Sequence, residues 1–324
     1  MNLLILSPGR RFEIVEYFKE TFHNDGRKVY TLDMSPLAPA LYAGDEYFRV
    51  DKNFNDLGAY IDDILSICKE KDITAVLTLI DPELVLLSDY KEKFEAQGIK
   101  VILSDIEFIK ETFDKFGFFN TYRNKIKLVD TLGSYDDAIN KLESGEWQYP
   151  LFAKLRDGSA SIGIKKIDSA IDFETTKINE KYIYQPFVKG SEYGLDAYFD
   201  MISGELVSIF MKKKLAMRAG ETDKAISVKN PDVLREILKI SNIKGLRGPI
   251  DIDVFVADNG EVFFNEINPR FGGGHPHAYG CGVNFMQLIL NNLKGEVNPP
   301  LFDNYKEGVM MLMYIALLFR DTNE

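Results

Sequence analysis

The sequence predicts two fold types in tandem: a doubly wound parallel α/β lobe over residues 1–105, then an α+β region over residues 106–324. Three observations carry this. Short apolar runs alternate with helix-like stretches as far as Ser104, the pattern of strands joined by covering helices. After Asp105 the segments become longer, β-rich and separated by loops. A length of 324 residues also exceeds what one hydrophobic core usually serves, so two or three lobes with room for a cleft are expected.

In the first lobe the predicted strands are Leu3–Leu6, Val29–Leu32, Ala75–Leu79 and Val101–Leu103, with a short addition over Tyr47–Val50. Ile14, Phe18 and Phe22, and then Leu57, Ile61 and Leu65, recur at four-residue spacing and predict the helices. Ligands of such sheets sit beyond the carboxyl ends of the strands, which singles out two turns. Ser7-Pro8-Gly9-Arg10-Arg11 follows the first strand and offers Gly9 and Arg10 as substrate contacts. It has one glycine and no G-x-G-x-x-G, which disfavours a dinucleotide. Ile80-Asp81-Pro82-Glu83 follows the strand Ala75–Leu79. There Asp81 and Glu83 read either as helix-starting residues, an N-cap and a first-turn acid around a proline, or as substrate contacts.

Composition narrows the function. Thirty-nine Lys plus Arg against fifty Asp plus Glu give a formal charge of -11, which disfavours nonspecific binding to nucleic acid or an anionic membrane and leaves small anions to a local basic pocket. The two cysteines, Cys68 and Cys281, and a start that lacks a basic, apolar leader fit a reducing cytoplasm. The most apolar run, Val309–Phe319, is shorter than the ~20 residues of a spanning helix and reads as a core strand or helix.

The chemistry concentrates in the second region. Pro150–Leu155 reads as a strand that ends in Arg156-Asp157-Gly158-Ser159-Ala160-Ser161-Ile162-Gly163 before the strand Ile164–Ile167. A small Gly/Ser-rich hairpin can fold its N–H groups over phosphates, or can be a mobile surface turn with Lys154 an ordinary solvated lysine. The aromatic strand from Tyr182, broken at Pro186 and Gly190, reads as a hinge or as a bulged strand.

Asp251–Asn268 is the most informative stretch. Asn259-Gly260 between apolar strands predicts a two-residue hairpin, and counting outward sets Asp258 against Glu261, Asp253 against Glu266 and Asp251 against Asn268. All these polar groups then share one face. Opposed carboxylates ~5 Å apart repel unless a cation joins them, so this face reads as a magnesium-type oxygen site, with a solvated acidic face as the plain alternative. Arg270, in the turn Pro269–Gly274, is placed to bind a phosphoryl group or an anionic substrate. His275 and His277 lack the further ligands a zinc site needs.

Taken together, Phe152-Ala153-Lys154 with Asp157–Ser161, Gln185–Glu192 and Asn265–Arg270 resemble the ATP-grasp superfamily in order and spacing, and within it the carbamoyl-phosphate-synthase-like carboxylate–amine ligases. The resemblance implies a pre-ATP-grasp lobe followed by a two-subdomain ATP-grasp fold: a lid-like subdomain over about 112–186, a hinge over about 184–192 and a C-terminal subdomain over 190–324. It implies Lys115 and Lys154 at the phosphates, Asp157, Gly158, Ser159, Ala160, Ser161 and Gly163 in the closing loop, Gln185, Phe187 and Val188 at adenine, and Glu192 at ribose. Glu266 and Asn268 would hold Mg²⁺ (or Mn²⁺) with Asp253 as third ligand, and Arg270 and Lys154 would act on the transferring phosphoryl group. Lys212–Glu221 resembles the substrate-side strand and loop, with Arg218 a candidate contact.

The implied activity is ADP-forming: a small carboxylate is activated as an acyl phosphate for attack by an amine or thiol. Homodimerisation is compatible with it. A phosphotransferase and a nucleotide-binding regulatory module without turnover are the alternatives.

Overall fold

The computed structural model describes residues 1–158, 163–177 and 181–321; Ser159, Ala160 and Ser161 lie outside the described residues. The first lobe is a parallel sheet of β1 (Asn2–Leu6), β2 (Val29–Asp33), β3 (Glu46–Arg49), β4 (Ile73–Thr78) and β5 (Lys100–Val101), ordered β3-β2-β1-β4-β5. Its inner strands are apolar on both faces because helices cover both. Helix Phe12–His23 packs Ile14, Val15, Phe18 and Phe22 on one side, and helix Leu57–Glu70 packs Tyr60, Ile61, Ile64 and Leu65 on the other. Strand order reverses at β1, which opens a crevice between the carboxyl ends of β1 and β4.

Two antiparallel sheets follow. β6 (Leu151–Leu155), β7 (Lys165–Ile167) and β8 (Tyr182–Pro186) are ordered β7-β6-β8 over a core that includes Trp147, Phe173 and Tyr184. β9 (Gly190–Phe199), β10 (Leu206–Arg218), β11 (Glu221–Ser227), β12 (Gly248–Ala257), β13 (Val262–Asn268) and β14 (Met310–Leu312) form a six-stranded sheet ordered β13-β12-β9-β10-β11-β14. The first lobe shares one core with this region. Leu3, Ile5 and Phe18 cluster with Phe271, Phe285 and Ile289, and the rings of Phe18 and Phe271 meet edge to face at 5.7 Å.

Two expectations need correction. The apolar run Val309–Phe319 is not a core element: β14 is an edge strand paired with β11 alone among the described strands, and Tyr314, Ile315, Leu317 and Phe319 beyond it are exposed. The β12–β13 turn is also one residue longer than a two-residue hairpin. Ala257, not Asp258, bonds to Glu261, with Gly260 in the left-handed region at φ 85. Near the turn the pairs are accordingly Val256–Val262 and Val254–Phe264. A bulge at Asn265 then absorbs the extra residue and restores Asp253 opposite Glu266 and Asp251 opposite Asn268. Among the described residues no helix is long and apolar enough to cross a membrane.

Glu83 is also placed differently from a substrate contact. At 3% exposure it accepts hydrogen bonds from Ser7 Oγ (3.0 Å), Tyr60 OH (2.7 Å) and Thr78 Oγ1 (2.6 Å) and pairs with Lys52 Nζ at 2.5 Å. Four donors on one buried carboxylate tie the ends of β1 and β4 to the flanking helix. Glu83→Ala, which strands the Lys52 ammonium, is expected to cost about 3–5 kcal/mol of unfolding free energy. Urea denaturation would show this as a lower midpoint; an unchanged midpoint would reject the structural role.

Candidate active site

A cleft of about 590 Å³ opens where the three sheets meet. Its walls come from the crevice of the first lobe, from β6 and β8, and from one face of β9, β10, β12 and β13. Of the predicted residues, Asp81, Lys115, Lys154, Gly158, Gln185, Phe187, Val188, Glu192, Asp253, Glu266, Asn268 and Arg270 line it.

At one end two lysines converge. Lys154, on β6, donates from Nζ to Asn265 Oδ1 at 2.9 Å, so its ammonium rests on a neutral amide rather than on a carboxylate. Burial lowers its pKa, with Glu266 opposing. Lys115 opens the helix Lys115–Tyr122 and reaches Glu266 Oε1 at 3.3 Å and the Gly158 carbonyl. Asp114 caps that helix by accepting from Phe116 and Gly117 N–H, and it also pairs with Arg156 at the base of the Gly/Ser loop. Arg156 in turn holds the Asp114 carboxyl below its ordinary range. One carboxylate thus ties the loop to the Lys115 helix. Asp157 lies outside the cleft lining, half-exposed and 3.7 Å from Lys181, and Gly163 stands at the loop's far end with φ 74.

Where β8 passes to β9, Gln185 donates to Thr131 Oγ1 (3.0 Å), and the Phe187 N–H is given to the Pro150 carbonyl (3.2 Å). Glu192 pairs with Lys214 Nζ at 2.7 Å, and the same ammonium lies 2.6 Å from Asp253. Burial opposes the Lys214 charge, but the two carboxylates more than offset it and raise its pKa. Asp253 is pushed up to about 7: burial raises it, Lys214 opposes, and Asp251 and Glu192 add to the rise. One lysine is thus shared between two acids on this face.

The face therefore suits a further cation. Asp253, Glu266 and Asn268 present oxygen donors from one side of the β12–β13 pair, a set matched to a hard ion held jointly with phosphate oxygens. Among the described residues no group of three or more His, Cys, Asp or Glu is placed to hold a metal by itself. His275 and His277 are otherwise engaged, with Asp196 (3.2 Å) and the Val309 carbonyl (2.9 Å).

Arg270 spans the lobes. Its guanidinium meets Asp81 at 2.9 and 3.3 Å and Asp251 at 3.0 Å. Burial works against its charge, yet Asp81 and Asp251 prevail and raise its pKa. Asp81 is therefore not a helix cap: its helix, Asp81–Asp89, starts without a side-chain cap, and the carboxylate crosses to the other lobe.

Sequence reasoning also missed several lining residues. Arg11, not Gly9 or Arg10, enters the cleft, donating to the carbonyls of Leu79 and Phe271 (3.3 Å), while Arg10 points outward at 59% exposure. Arg218 likewise turns outward and pairs with Asp223, leaving Lys212 and Lys214 as the cleft-facing cations of β10. Lys212 is wholly buried against Asp196. Asn265 faces inward because the bulge turns it there, a feature that period-two counting does not anticipate.

Residues 3–102 match the PylC-like N-terminal domain family, and residues 114–274 match the ATP-grasp domain family. The fold is similar to N5-carboxyaminoimidazole synthetase from Staphylococcus aureus (TM-score 0.71, 16% identity, 92% of this chain and 78% of that one). It is also similar to the biotin carboxylase domain dimer of Hydrogenobacter thermophilus 2-oxoglutarate carboxylase, solved with MgADP, ADP and bicarbonate (TM-score 0.74, 15% identity, 95% of this chain and 73% of that one). In sequence, 200 residues are 24% identical to the vancomycin/teicoplanin A-type resistance protein VanA of Enterococcus faecium, covering 54% of this chain and 57% of that protein.

Lys154 yields a prediction with a definite sign. A phosphate beside a buried ammonium restores its proton affinity, so nucleotide affinity should fall as pH rises through the lowered pKa of the free protein. Calorimetry is expected to show this alkaline loss in the parent, and a weaker, flatter profile in Lys154→Ala. Equal affinity and the same profile in a folded variant would remove Lys154 from the phosphate site.

Proposed function

This chain carries an ATP-grasp domain behind a PylC-like N-terminal domain, and from that premise we propose that it is an ATP- and Mg²⁺-dependent, ADP-forming ligase joining a small carboxylate to an amine or similar nucleophile. The observation that carries the reading is the arrangement of one continuous cleft. Lys115 and Lys154, the oxygen donors Asp253, Glu266 and Asn268, and the guanidinium groups of Arg270 and Arg11 all line it, beside the crevice of the parallel sheet. Of the neighbouring folds named above, one is a synthetase and the other a biotin carboxylase domain solved with MgADP, which supports the same class.

In this reading Gln185, Phe187 and Val188 receive the base and Glu192 the ribose, released from Lys214. Lys154 and Lys115 hold the phosphates beneath the loop. Glu266 and Asn268, with Asp253, would hold magnesium, which when bound offsets charge on the phosphate oxygens. The carboxylate oxygen attacks the γ-phosphorus as its bond to the ADP oxygen breaks, giving an acyl phosphate. The nucleophile then attacks the acyl carbon, phosphate leaves with the C–O bond's electrons, and the amine gives up a proton. Arg270 faces the oxygens on which charge accumulates, and its planar fork is already oriented by Asp81 and Asp251. Catalysis is positional and electrostatic, with no side-chain nucleophile needed.

Glu266→Gln should lower Mg²⁺-dependent turnover by about 10²-fold or more while leaving the fold, since it deletes one of two opposed carboxylates. Wild-type turnover at limiting magnesium would reject the metal assignment.

A second prediction addresses the reaction class. With ATP, Mg²⁺, an acid and hydroxylamine, the protein should release ADP and form a hydroxamate, and Arg270→Lys should lose about 10²-fold of that rate because an ammonium cannot form the fork. ADP release with a stable phosphate ester and no hydroxamate would favour a phosphotransferase.

A further inference from the structure

Between the helix Lys115–Tyr122 and the three-stranded sheet, the chain is tied to both antiparallel sheets in turn. Val129 N–H donates to the Phe264 carbonyl of β13 (2.9 Å), and Leu132 exchanges two hydrogen bonds with Tyr184 of β8 (3.0 and 2.9 Å). Thr131 lies between these anchors, buried, with its backbone held from both sides. Its hydroxyl is committed in one direction. Thr131 Oγ1 must donate to the Val129 carbonyl at 2.9 Å, because a carbonyl can only accept.

That commitment orients the Gln185 side chain. With its proton given to Val129, the hydroxyl meets Gln185 at 3.0 Å with lone pairs alone, so the amide has to present an Nε2–H to it. The amide oxygen is thereby turned the other way. Among the described residues no donor meets Gln185 Oε1, and Gln185 lines the cleft. Its surroundings there are apolar. Phe152 stands directly opposite Gln185 in the β6–β8 pair, its ring is 6.2 Å from that of Phe187, and Val129 borders the same cleft. In such a setting an acceptor gains from a ligand donor, whereas a second acceptor placed against it leaves both unpaired.

We propose that Thr131 is a positioning residue that sets base selectivity: acting through the Gln185 amide, it holds an acceptor toward the cleft, which admits a purine with an amino group at position 6 and rejects the 6-oxo purine. The inference rests on the nucleotide site of the ligase reading and adds to it a residue that acts one hydrogen bond behind the ligand. Without the hydroxyl, the amide is free to turn over and offer a donor instead, and the preference is lost.

Calorimetry with ADP and IDP in the presence of Mg²⁺ reads this selectivity without turnover, since the two bases differ only at position 6 and the adjoining N1 proton. The parent should bind ADP at least about thirtyfold more tightly than IDP. Thr131→Val keeps the side chain's shape and should narrow the ratio to within about threefold, while Thr131→Ser, which restores the hydroxyl, should hold it near the parent's. Gln185→Met removes the amide itself and should narrow the ratio in the same way, which keeps the test open if Thr131→Val does not fold. Because each ratio compares two ligands on one protein, a general loss of affinity cancels from it. Equal binding of both nucleotides by the parent, a parent-like ratio in Thr131→Val or Gln185→Met, or a lost preference in Thr131→Ser overturns the inference while the ligase reading stands. Folded parent protein that binds neither nucleotide overturns the ligase reading and this inference with it.

Discussion

The cleft depends on one guanidinium. Arg270 leaves the end of β13, holds Asp251 on the neighbouring strand and engages Asp81 from the first lobe with two hydrogen bonds. Paired charge-assisted bonds of this kind fix orientation as well as distance. Because all three groups are largely buried, removing any one leaves a charge in a poorly solvated place, which is far more costly than the pair is beneficial. Beneath it Phe271 seals the same junction by packing on Phe18 and Phe285. The position of the sheet crevice relative to β12 and β13 follows from this contact.

The charge pattern elsewhere follows a related logic. Lys115 sits at Glu266, and Lys214 lies between Glu192 and Asp253, so the chain's own ammonium groups stand where ligand cations and ribose hydroxyls are expected. A site that must accept several phosphate charges together with a metal ion cannot be neutral on its own account. Lysines on flexible stems can serve the carboxylates first and turn to the phosphates later. Arg270, oriented by Asp81 and Asp251, keeps one fixed direction instead.

Much of this was legible in the sequence because the signals are local. Apolar runs three to five residues long marked the parallel strands, and the four-residue spacing of Ile14, Phe18 and Phe22 marked the helix Phe12–His23. The pairs Asp253–Glu266 and Asp251–Asn268 were also foreseen, though by a count in which two one-residue errors cancel: the turn is longer by one, and the bulge at Asn265 takes the residue back. What escaped depended on distance along the chain. The inward turn of Arg11 requires the Phe271 carbonyl, 260 residues away, and the pairing of Asp81 with Arg270 spans 189 residues. Exposure of the 313–319 run follows from its place beyond an edge strand, which apolar composition alone cannot reveal.

The bulge at Asn265 also divides the β12–β13 ribbon mechanically. On the inner side, register against β13 is held by the Asp253–Glu266 and Asp251–Asn268 pairs, while a ten-residue ladder to β9 runs the whole length of β12. On the outer side, a short exposed tip follows the geometry of its own turn. Because the irregularity absorbs a one-residue offset, the β13 register at the acidic face does not depend on the length of the turn. The Asp258–Gly260 turn is accordingly where this scaffold offers a graft point for a peptide tag or a reporter dye, a few residues along the strand from the chemistry yet outside its register.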